Sequence, residues 1–255
     1  MATQRFVFPN QAGEQLAASL DRPDGQTKAQ ALFAHCFTCG KDNLAASHIA
    51  RALAARGIAV LRFDFTGLGN SQGEFANTHF SSNVADLGAA ARHLTETGAP
   101  PGLLIGHSLG GAAVLAAAAQ IPVARGVVAI AAPSDPAHVI GLFGPDAARI
   151  RNEGELEVTL AGRRFRIRRE FLDDVAEQHL TARVALLGRP LLLFHSPIDE
   201  TVGIENAARL FAAAKHPKSF ISLADADHLL RRRSDAIYVA DVIAAWVERY
   251  IGGVG

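Results

Sequence analysis

The stretch Gly106-His107-Ser108-Leu109-Gly110-Gly111 constrains this chain most, because it places a serine between small residues where an apolar run meets an alanine-rich segment. Residues 102–105 predict a short buried strand and residues 112–120 predict a helix, so Ser108 falls on the sharp turn between them. Such a turn strains the backbone, and the flanking glycines remove the Cβ atoms that would clash there. The pattern therefore predicts a serine presented as a nucleophile.

The composition predicts a single domain with no net charge. No composition break and no proline-, glycine- or serine-rich linker divides the 255 residues before the last few, so we expect a single domain over 1–255. The 25 basic residues balance the 25 acidic ones, which gives no electrostatic reason to expect a nucleic-acid or membrane partner. Residues 1–10 lack the apolar core of a signal peptide, and no apolar run approaches membrane-spanning length. We therefore expect a cytoplasmic protein.

Continuous apolar runs alternate with helical patterns along most of the chain. Apolar runs without polar alternation are typical of strands buried on both faces, and helices between them would cover both faces of a parallel sheet. Two further segments, 5–8 and 16–20, predict an antiparallel hairpin at one edge. The expected fold class is α/β with a mostly parallel, roughly eight-stranded sheet. The other predicted strands are 31–34, 59–63, 103–105, 127–131, 191–194 and 220–223, and the predicted helices are 44–56, 83–97, 109–120, 203–214 and 235–250.

One region interrupts this alternation with an insertion at about 133–188. The residues between the strands ending near 131 and starting at 191 are far more than a simple crossover needs. Alternating apolar residues at 156–160 and 163–168 predict a hairpin, and a helix follows at about 170–179. We expect a small cap over the carboxyl ends of the strands, where ligands bind in open α/β sheets. The alternative is a surface excursion without substrate contact.

A serine hydroxyl is a weak nucleophile at neutral pH and needs a base, for which His228 is the best candidate. This histidine follows the last predicted strand, where a loop would reach back to the same edge of the sheet as Ser108. His107 is adjacent to the serine in sequence, but its side chain would point elsewhere on the turn. We expect His107 to pack against the site or line it.

A third residue must be a carboxylate that orients the imidazole and stabilises its charged form. Asp199 follows the strand at 191–194 and gives the chain order serine, aspartate, histidine. Asp135 is the fallback and Glu200 a weaker alternative. Asp225 and Asp227 have the character of loop residues.

Acyl transfer also needs two backbone N–H groups aimed at the developing oxyanion. The residue after the nucleophile, Leu109, supplies the first. The second is expected from the loop 34–38, with the amide of Phe37 facing the serine.

Together these residues resemble the serine-dependent α/β-hydrolases, over about residues 30–250. More narrowly, Ala34-His35-Cys36-Phe37-Thr38-Cys39-Gly40-Lys41-Asp42 and Arg62-Phe63-Asp64-Phe65-Thr66-Gly67-Leu68-Gly69 resemble the hydrolase half of bacterial proteins fused to a C-terminal domain of the OsmC peroxide-reductase family. That second domain would begin where this chain stops, at 252–255. Two departures from the broader superfamily are Cys36 in place of a glycine and Thr66 in place of an arginine.

The resemblance implies a serine hydrolase, and small carboxylic esters are the expected substrates. Thioesterase, amidase and acyltransferase activities would use the same three side chains and stay open. The expected pocket residues are His35, Cys36 and His107, and no cofactor or metal is implied.

The pair Cys36 and Cys39 has the Cys-x-x-Cys spacing of disulfide oxidoreductases. The two sulfurs would flank the expected oxyanion donor. This position favours structural thiols in a tight loop over a redox function. The alternative is a redox-regulated module that binds acyl compounds.

Two groups of arginines carry positive charge near the expected site. Residues 231–233 follow the candidate base and could attract an acidic substrate group, although short basic runs are more often solvated. The alternating Arg164, Arg166 and Arg168 of the predicted hairpin are typical of a water-facing side.

Overall fold

The computed structural model describes residues 2–251, except for the side chain of residue 251. Within that range it contains ten strands and eight α-helices. Residues 252–255, where the resemblance places the start of a second domain, lie outside the described residues. The strands are β1 (Ala2–Pro9), β2 (Gln15–Arg22), β3 (Ala29–Ala34), β4 (Ile58–Phe63), β5 (Leu103–His107), β6 (Gly126–Ile130), β7 (Glu155–Leu160), β8 (Arg163–Arg168), β9 (Leu191–His195) and β10 (Lys218–Ser222). The α-helices are α1 (Leu44–Ala54), α2 (Phe80–Glu96), α3 (Leu109–Ala117), α4 (Asp146–Glu153), α5 (Arg169–Ala176), α6 (Leu180–Ala185), α7 (Glu205–Ala213) and α8 (Arg233–Ile251). None of these helices has both the length and the hydropathy required to span a bilayer.

Eight strands form one sheet in the order β1-β2-β4-β3-β5-β6-β9-β10, and β7 pairs with β8 in a separate hairpin. β2 is antiparallel to both of its neighbours, while every pair from β4 to β10 is parallel. The predicted mostly parallel, eight-stranded α/β architecture is therefore confirmed. The carboxyl ends of β3, β5, β6 and β9 meet at one edge, which gathers the loops that follow them.

The central strands bury alternate side chains in two separate cores, as a pleated strand requires. In β3, Ala31 and Phe33 pack with the core beneath α1 and α8, whereas Leu32 and Ala34 pack with the core beneath α2 and α3. Because both faces are covered, the strands contain almost no polar positions. This explains the continuous apolar runs in the sequence.

Most helix boundaries differ from the prediction by one to three residues, as at the start of α2 and the end of α5. α2 begins at Phe80 rather than 83, because the side chains of His79 and Ser82 cap each other's backbone N–H groups. Histidine is not among the usual N-cap residues, so the residue pattern contains little sign of this helix start. The helix predicted at 170–179 ends at Ala176, and a second short helix, α6, follows it.

The insertion folds into a 3₁₀ helix (Pro136–Phe143), α4, the β7–β8 hairpin, α5 and α6. Aromatic rings join it to the loop after β3: the Phe37 ring lies 5.4 Å from Phe171 and 6.3 Å from Phe143. Asp174 also accepts hydrogen bonds from the backbone N–H and hydroxyl of Ser81 on α2, at 2.9 and 2.5 Å. The insertion is thus anchored to the main domain at two places.

A buried ion pair joins β4 to β2, and its arginine also contacts the loop after β3. The guanidinium of Arg62, 1% exposed, donates to the carboxylate of Asp21 at 2.8 and 2.9 Å. It also donates to the backbone carbonyl of Lys41 and to Asp42, which ties the loop to β4. Removing one partner of a buried pair leaves the other charge without compensation.

We expect Arg62→Met to lower the free energy of unfolding by about 3–5 kcal/mol, because it strands the carboxylate of Asp21 in the core. The control is Arg164→Gln, whose partner Glu157 and whose own side chain are exposed, and which should change stability by less than about 0.5 kcal/mol. Urea unfolding followed by circular dichroism measures both. Equal stability of the two variants would contradict this assignment.

Candidate active site

Ser108 lies between β5 and α3 in a strained backbone conformation, with φ 57° and ψ −127°. Side-chain-bearing residues rarely adopt positive φ, so the surrounding structure must hold it there. A Cβ on Gly106 would lie 2.2 Å from the carbonyl oxygen of Gly110, and one on Gly110 would lie 2.3 Å from that of His35. The two glycines therefore allow a backbone approach that no other residue permits at these positions.

Hydrogen bonds fix the same turn from both sides. The N–H of Ser108 donates to the carbonyl of Ile130 at 2.8 Å, and its carbonyl accepts from Gly111 at 2.8 Å. These hydrogen bonds hold Ser108 on the turn that follows the carboxyl end of β5.

Three side chains from three loops form one hydrogen-bonded chain. The Nε2 atom of His228 lies 2.9 Å from the Oγ atom of Ser108, and its Nδ1 atom lies 2.7 Å from the Oδ2 atom of Asp199. The structure thus brings together the serine, histidine and aspartate chosen from the sequence. A histidine in this position can accept the serine proton while its other nitrogen donates to the carboxylate.

The carboxylate of Asp199 is fully buried and well supplied with donors. Burial alone would raise its pKa, but the His228 side chain and the amides of Thr201 and Val202 outweigh burial and hold the pKa below its usual value. This carboxyl is consequently ionised at neutral pH.

The alternative acids occupy other positions. Asp135 caps the 3₁₀ helix, where it accepts from the N–H of Ala137 at 2.9 Å, and Glu200 is exposed. Asp225 pairs with Arg232, and Asp227 accepts from the N–H of Arg231. None of these four carboxylates makes a hydrogen bond with His228 in the described part of the chain.

The loop after β3 packs directly on the start of α3. The carbonyls of Ala34 and His35 lie where a Cβ of Gly110 would be, so this loop lies beside the turn that carries Ser108. Phe37 and Ser108 line one cavity, and the oxyanion role of the Phe37 and Leu109 amides stays a prediction. Two such amides are the donors that an oxyanion requires.

A cavity of about 740 Å³ opens onto Ser108 and His228. One wall comes from the loop after β3, including Cys36 and Phe37. The opposite wall comes from the insertion, through Leu142 and the hairpin residues 159–161 and Arg163. Among the residues that the structure describes, no group of His, Cys, Asp and Glu side chains has the arrangement of a metal site.

Two of the three expected pocket residues lie behind the cavity. Cys36 lines it, but His35 and His107 are each 1% exposed and are absent from its wall. The ring of His35 packs edge-on against Phe65 at 4.9 Å. The Nε2 atom of His107 lies 2.7 Å from the backbone carbonyl of His228, so His107 supports the loop of the candidate base instead of facing a substrate.

The expectation that Cys36 and Cys39 are structural thiols in this tight loop is wrong, because the two residues form a disulfide. Thr38 has a positive φ of 56°, and the N–H of Cys39 donates to the carbonyl of Cys36 at 3.1 Å. This tight turn brings the two Cα atoms to 5.3 Å, within the range of disulfides. Whether the pair regulates activity stays a prediction.

Comparison with known proteins identifies the family of this chain. A model of the alpha/beta hydrolase family matches residues 31–252, most of the chain. The chain belongs to this family.

Solved structures and a curated relative agree with that assignment. The esterase domain of a Rhodothermus marinus protein is 52% identical to this hydrolase, covers 99% of this chain and 100% of its own, and superposes with a TM-score of 0.81. Est1E from Butyrivibrio proteoclasticus, solved with ferulic acid bound, is 20% identical with a TM-score of 0.84 over 96% of this chain and 99% of its own, which shows the shared fold alone. The uncharacterized protein YfhR of Escherichia coli O157:H7 is 25% identical over 69% of this chain, and the match spans only about half (55%) of the length of that relative.

The structure contains a buried ion pair, Lys41 with Asp64, to which the sequence analysis assigned no role. Lys41 and Asp64 both line the cavity, and the Lys41 Nζ atom lies 2.8 Å from the Asp64 Oδ2 atom. Asp64 also accepts from the amides of Lys41 and Asn70, at 2.6 and 3.0 Å. Both residues belong to the motifs at 34–42 and 62–69, but only their proximity in space indicates that they hold the loop after β3 in place.

We expect Gly106→Ala to destabilise the hydrolase by roughly 1–3 kcal/mol, because its Cβ would overlap backbone atoms that cannot move independently. Gly141→Ala is the matched control, since a Cβ at that position meets no atom within 4 Å. Urea unfolding should leave the control within about 0.5 kcal/mol of the wild type. A Gly106→Ala protein as stable as the control would contradict the packing described.

Burial, together with the nearby His228, lowers the pKa of His107 to about 4. The unfolded chain therefore takes up a proton on this residue at higher pH than the folded one, and stability that is complete above about pH 6.5 falls as the pH decreases toward 4. We expect the wild type to lose about 2 kcal/mol more than His107→Asn between pH 7.5 and pH 5. Denaturant unfolding at the two pH values measures this, and an equal loss in both proteins would refute it.

Proposed function

We propose that this chain is a serine hydrolase that cleaves small carboxylic esters through an acyl-enzyme. The observation that carries the proposal is the hydrogen-bonded chain from Ser108 through His228 to Asp199, at 2.9 and 2.7 Å, beside a cavity that Ser108 and His228 line. The 52% identity with an esterase domain supports the choice of substrate class.

In the first step the Ser108 oxygen attacks the ester carbonyl while His228 takes the hydroxyl proton. The carboxylate of Asp199 keeps the imidazole oriented through Nδ1 and stabilises its positive charge. His228 then returns the proton to the departing alcohol, which leaves the acyl group on Ser108.

Water releases the acyl group by the reverse sequence of proton transfers. His228 takes a proton from the attacking water and gives it back to the Ser108 oxygen as the carboxylic acid departs. The amides of Phe37 and Leu109 stabilise the oxyanion in both steps. Losing one such donor typically costs about 3–4 kcal/mol of transition-state stabilisation.

The dimensions and lining of the cavity support a small substrate with apolar parts. Its volume of about 740 Å³ lies within the range of small-molecule sites. Phe37, Leu142, Leu160 and Leu229 supply apolar wall. Thioesters and amides use the same machinery, and rates on an ester, a thioester and an amide with one common acyl group decide among them.

A fluorophosphonate probe tests the nucleophile directly. We expect stoichiometric labelling of the wild type, no labelling of Ser108→Ala, and loss of 4-nitrophenyl acetate hydrolysis in the same variant. Intact-mass spectrometry detects the adduct. Labelling of Ser108→Ala to the same extent as the wild type would sink the proposal.

Asp199→Asn should lower kcat by at least about a hundredfold, because the amide cannot stabilise the imidazolium and favours the wrong tautomer. Asp135→Asn is the control, since this carboxylate makes its contacts on the 3₁₀ helix, and it should retain activity within about twofold. Both are measured on 4-nitrophenyl butyrate. A larger loss in Asp135→Asn than in Asp199→Asn would reverse the assignment of the acid.

A further inference from the structure

Arg163 brings a positive charge from the insertion to the wall of the cavity that contains Ser108. It is the first residue of β8, directly after the turn formed by Ala161 and Gly162, whose φ values are 49° and 76°. That tight reversal sets Arg163 opposite Leu160 in the hairpin, and both residues line the cavity. The position of this arginine is therefore fixed by the backbone of the hairpin.

The other three arginines of β8 are neutralised on the hairpin itself. Arg164 pairs with Glu157 at 3.2 Å, and Arg166 and Arg168 pair with Glu155 at 3.2 and 3.1 Å. Arg163 forms no ion pair with a carboxylate anywhere in residues 2–251. Its guanidinium carbon lies 5.1 Å from the ring centroid of Phe165, a contact that orients the group and leaves N–H donors for an anion.

Two other cationic side chains near the site, Lys41 and Arg232, are already paired with carboxylates. Lys41 on the opposite wall contacts Asp64 at 2.8 Å and Asp42 at 3.3 Å. Arg232, from the basic run after the candidate base, makes a two-pronged pair with Asp225. An anion entering the cavity would thus find uncompensated positive charge on the side of the insertion, while Asp42 disfavours it on the other wall.

The charge of Arg163 acts on the loop that follows β3. Burial is the main reason why the pKa of His35 lies below its usual value, and the positive charges of Lys41 and Arg163 lower it further. His35 directly precedes Cys36 and Phe37, which line the cavity beside Ser108. Arg163 and the loop of the proposed oxyanion donor therefore belong to one electrostatic environment.

Apolar surface accompanies this charge at the same cavity. Leu142 and Leu229 line it and remain 47% and 38% exposed, respectively. A substrate with an apolar body and one anionic group would cover these leucines while its charge meets the guanidinium.

We propose that Arg163 is a specificity-determining residue that selects esters carrying a carboxylate or similar anionic group. This inference rests on the proposed ester hydrolysis and deepens it by naming a substrate class. The anion can belong to the acyl part or to the alcohol part, since both would carry the same charge into the cavity.

Two matched substrate pairs test the proposal. The first compares mono-(4-nitrophenyl) adipate with 4-nitrophenyl hexanoate, which share a six-carbon acyl chain and differ by the terminal carboxylate. The second compares 4-(carboxymethyl)phenyl hexanoate with its primary amide, which places the charge on the leaving side. For each pair the measured quantity is the ratio of kcat/KM for the charged and neutral esters.

We expect Arg163→Gln to lower this ratio at least about tenfold in one of the pairs, through KM, with kcat/KM for the neutral ester unchanged within twofold. Arg163→Lys should restore part of the ratio. Arg164→Gln is the matched control, because its charge is paired and exposed, and should keep the wild-type ratio. Raising the salt concentration from 0.05 to 0.5 M should lower the ratio for the wild type and leave that of Arg163→Gln almost constant.

Equal ratios of kcat/KM in the wild type and Arg163→Gln for both substrate pairs would overturn the proposal. A fall of this ratio in Arg164→Gln as large as in Arg163→Gln would also overturn it, because it would indicate a general electrostatic field of the surface. The neutral esters separate this result from failure of the proposed function. If the wild type hydrolyses them no faster than Ser108→Ala, ester hydrolysis itself is refuted and the inference falls with it.

Discussion

The close approach of Gly110 to the carbonyls of Ala34 and His35 is the contact on which the candidate site depends. It seats the first turn of α3 on the end of β3, with no side chain between the two backbones. Because of this contact, the strained Ser108 turn and the loop that carries the Phe37 amide share one small volume. The sheet then supplies Asp199 and His228 from the ends of β9 and β10, so four loops meet at one edge.

The insertion acts on this site through contacts that also stabilise it. Phe37 lines the cavity, and its ring packs against Phe171 and Phe143 of the insertion. The loop of the proposed oxyanion donor is therefore held by the insertion on one side and by Lys41 and Asp64 on the other. The substrate selection proposed for the insertion and the geometry of this loop would therefore depend on the same elements.

Much of the fold and the three-residue chain could be predicted because their signals are local or follow from topology. Buried parallel strands produce continuous apolar runs, and the glycines around Ser108 are required by a turn of that shape. The disulfide, and the burial of His35 and His107 behind the cavity, could not be predicted in this way. They depend on whether Thr38 takes a positive φ, and on which side of a loop each imidazole packs, neither of which a residue pattern specifies.

The sequence by itself determined the alternation of strands and helices, the turn at Ser108, and the order of serine, aspartate and histidine, because each follows from backbone sterics and from the burial of apolar side chains. Tertiary structure alone decided how charges are distributed at the cavity. The alternation of the sequence places Arg164, Arg166 and Arg168 on one side of the hairpin, but only the structure shows that glutamates across the hairpin neutralise these three while Arg163 lines the cavity that contains Ser108. Pairing between charges depends on distances in space, and the chain order does not contain those distances.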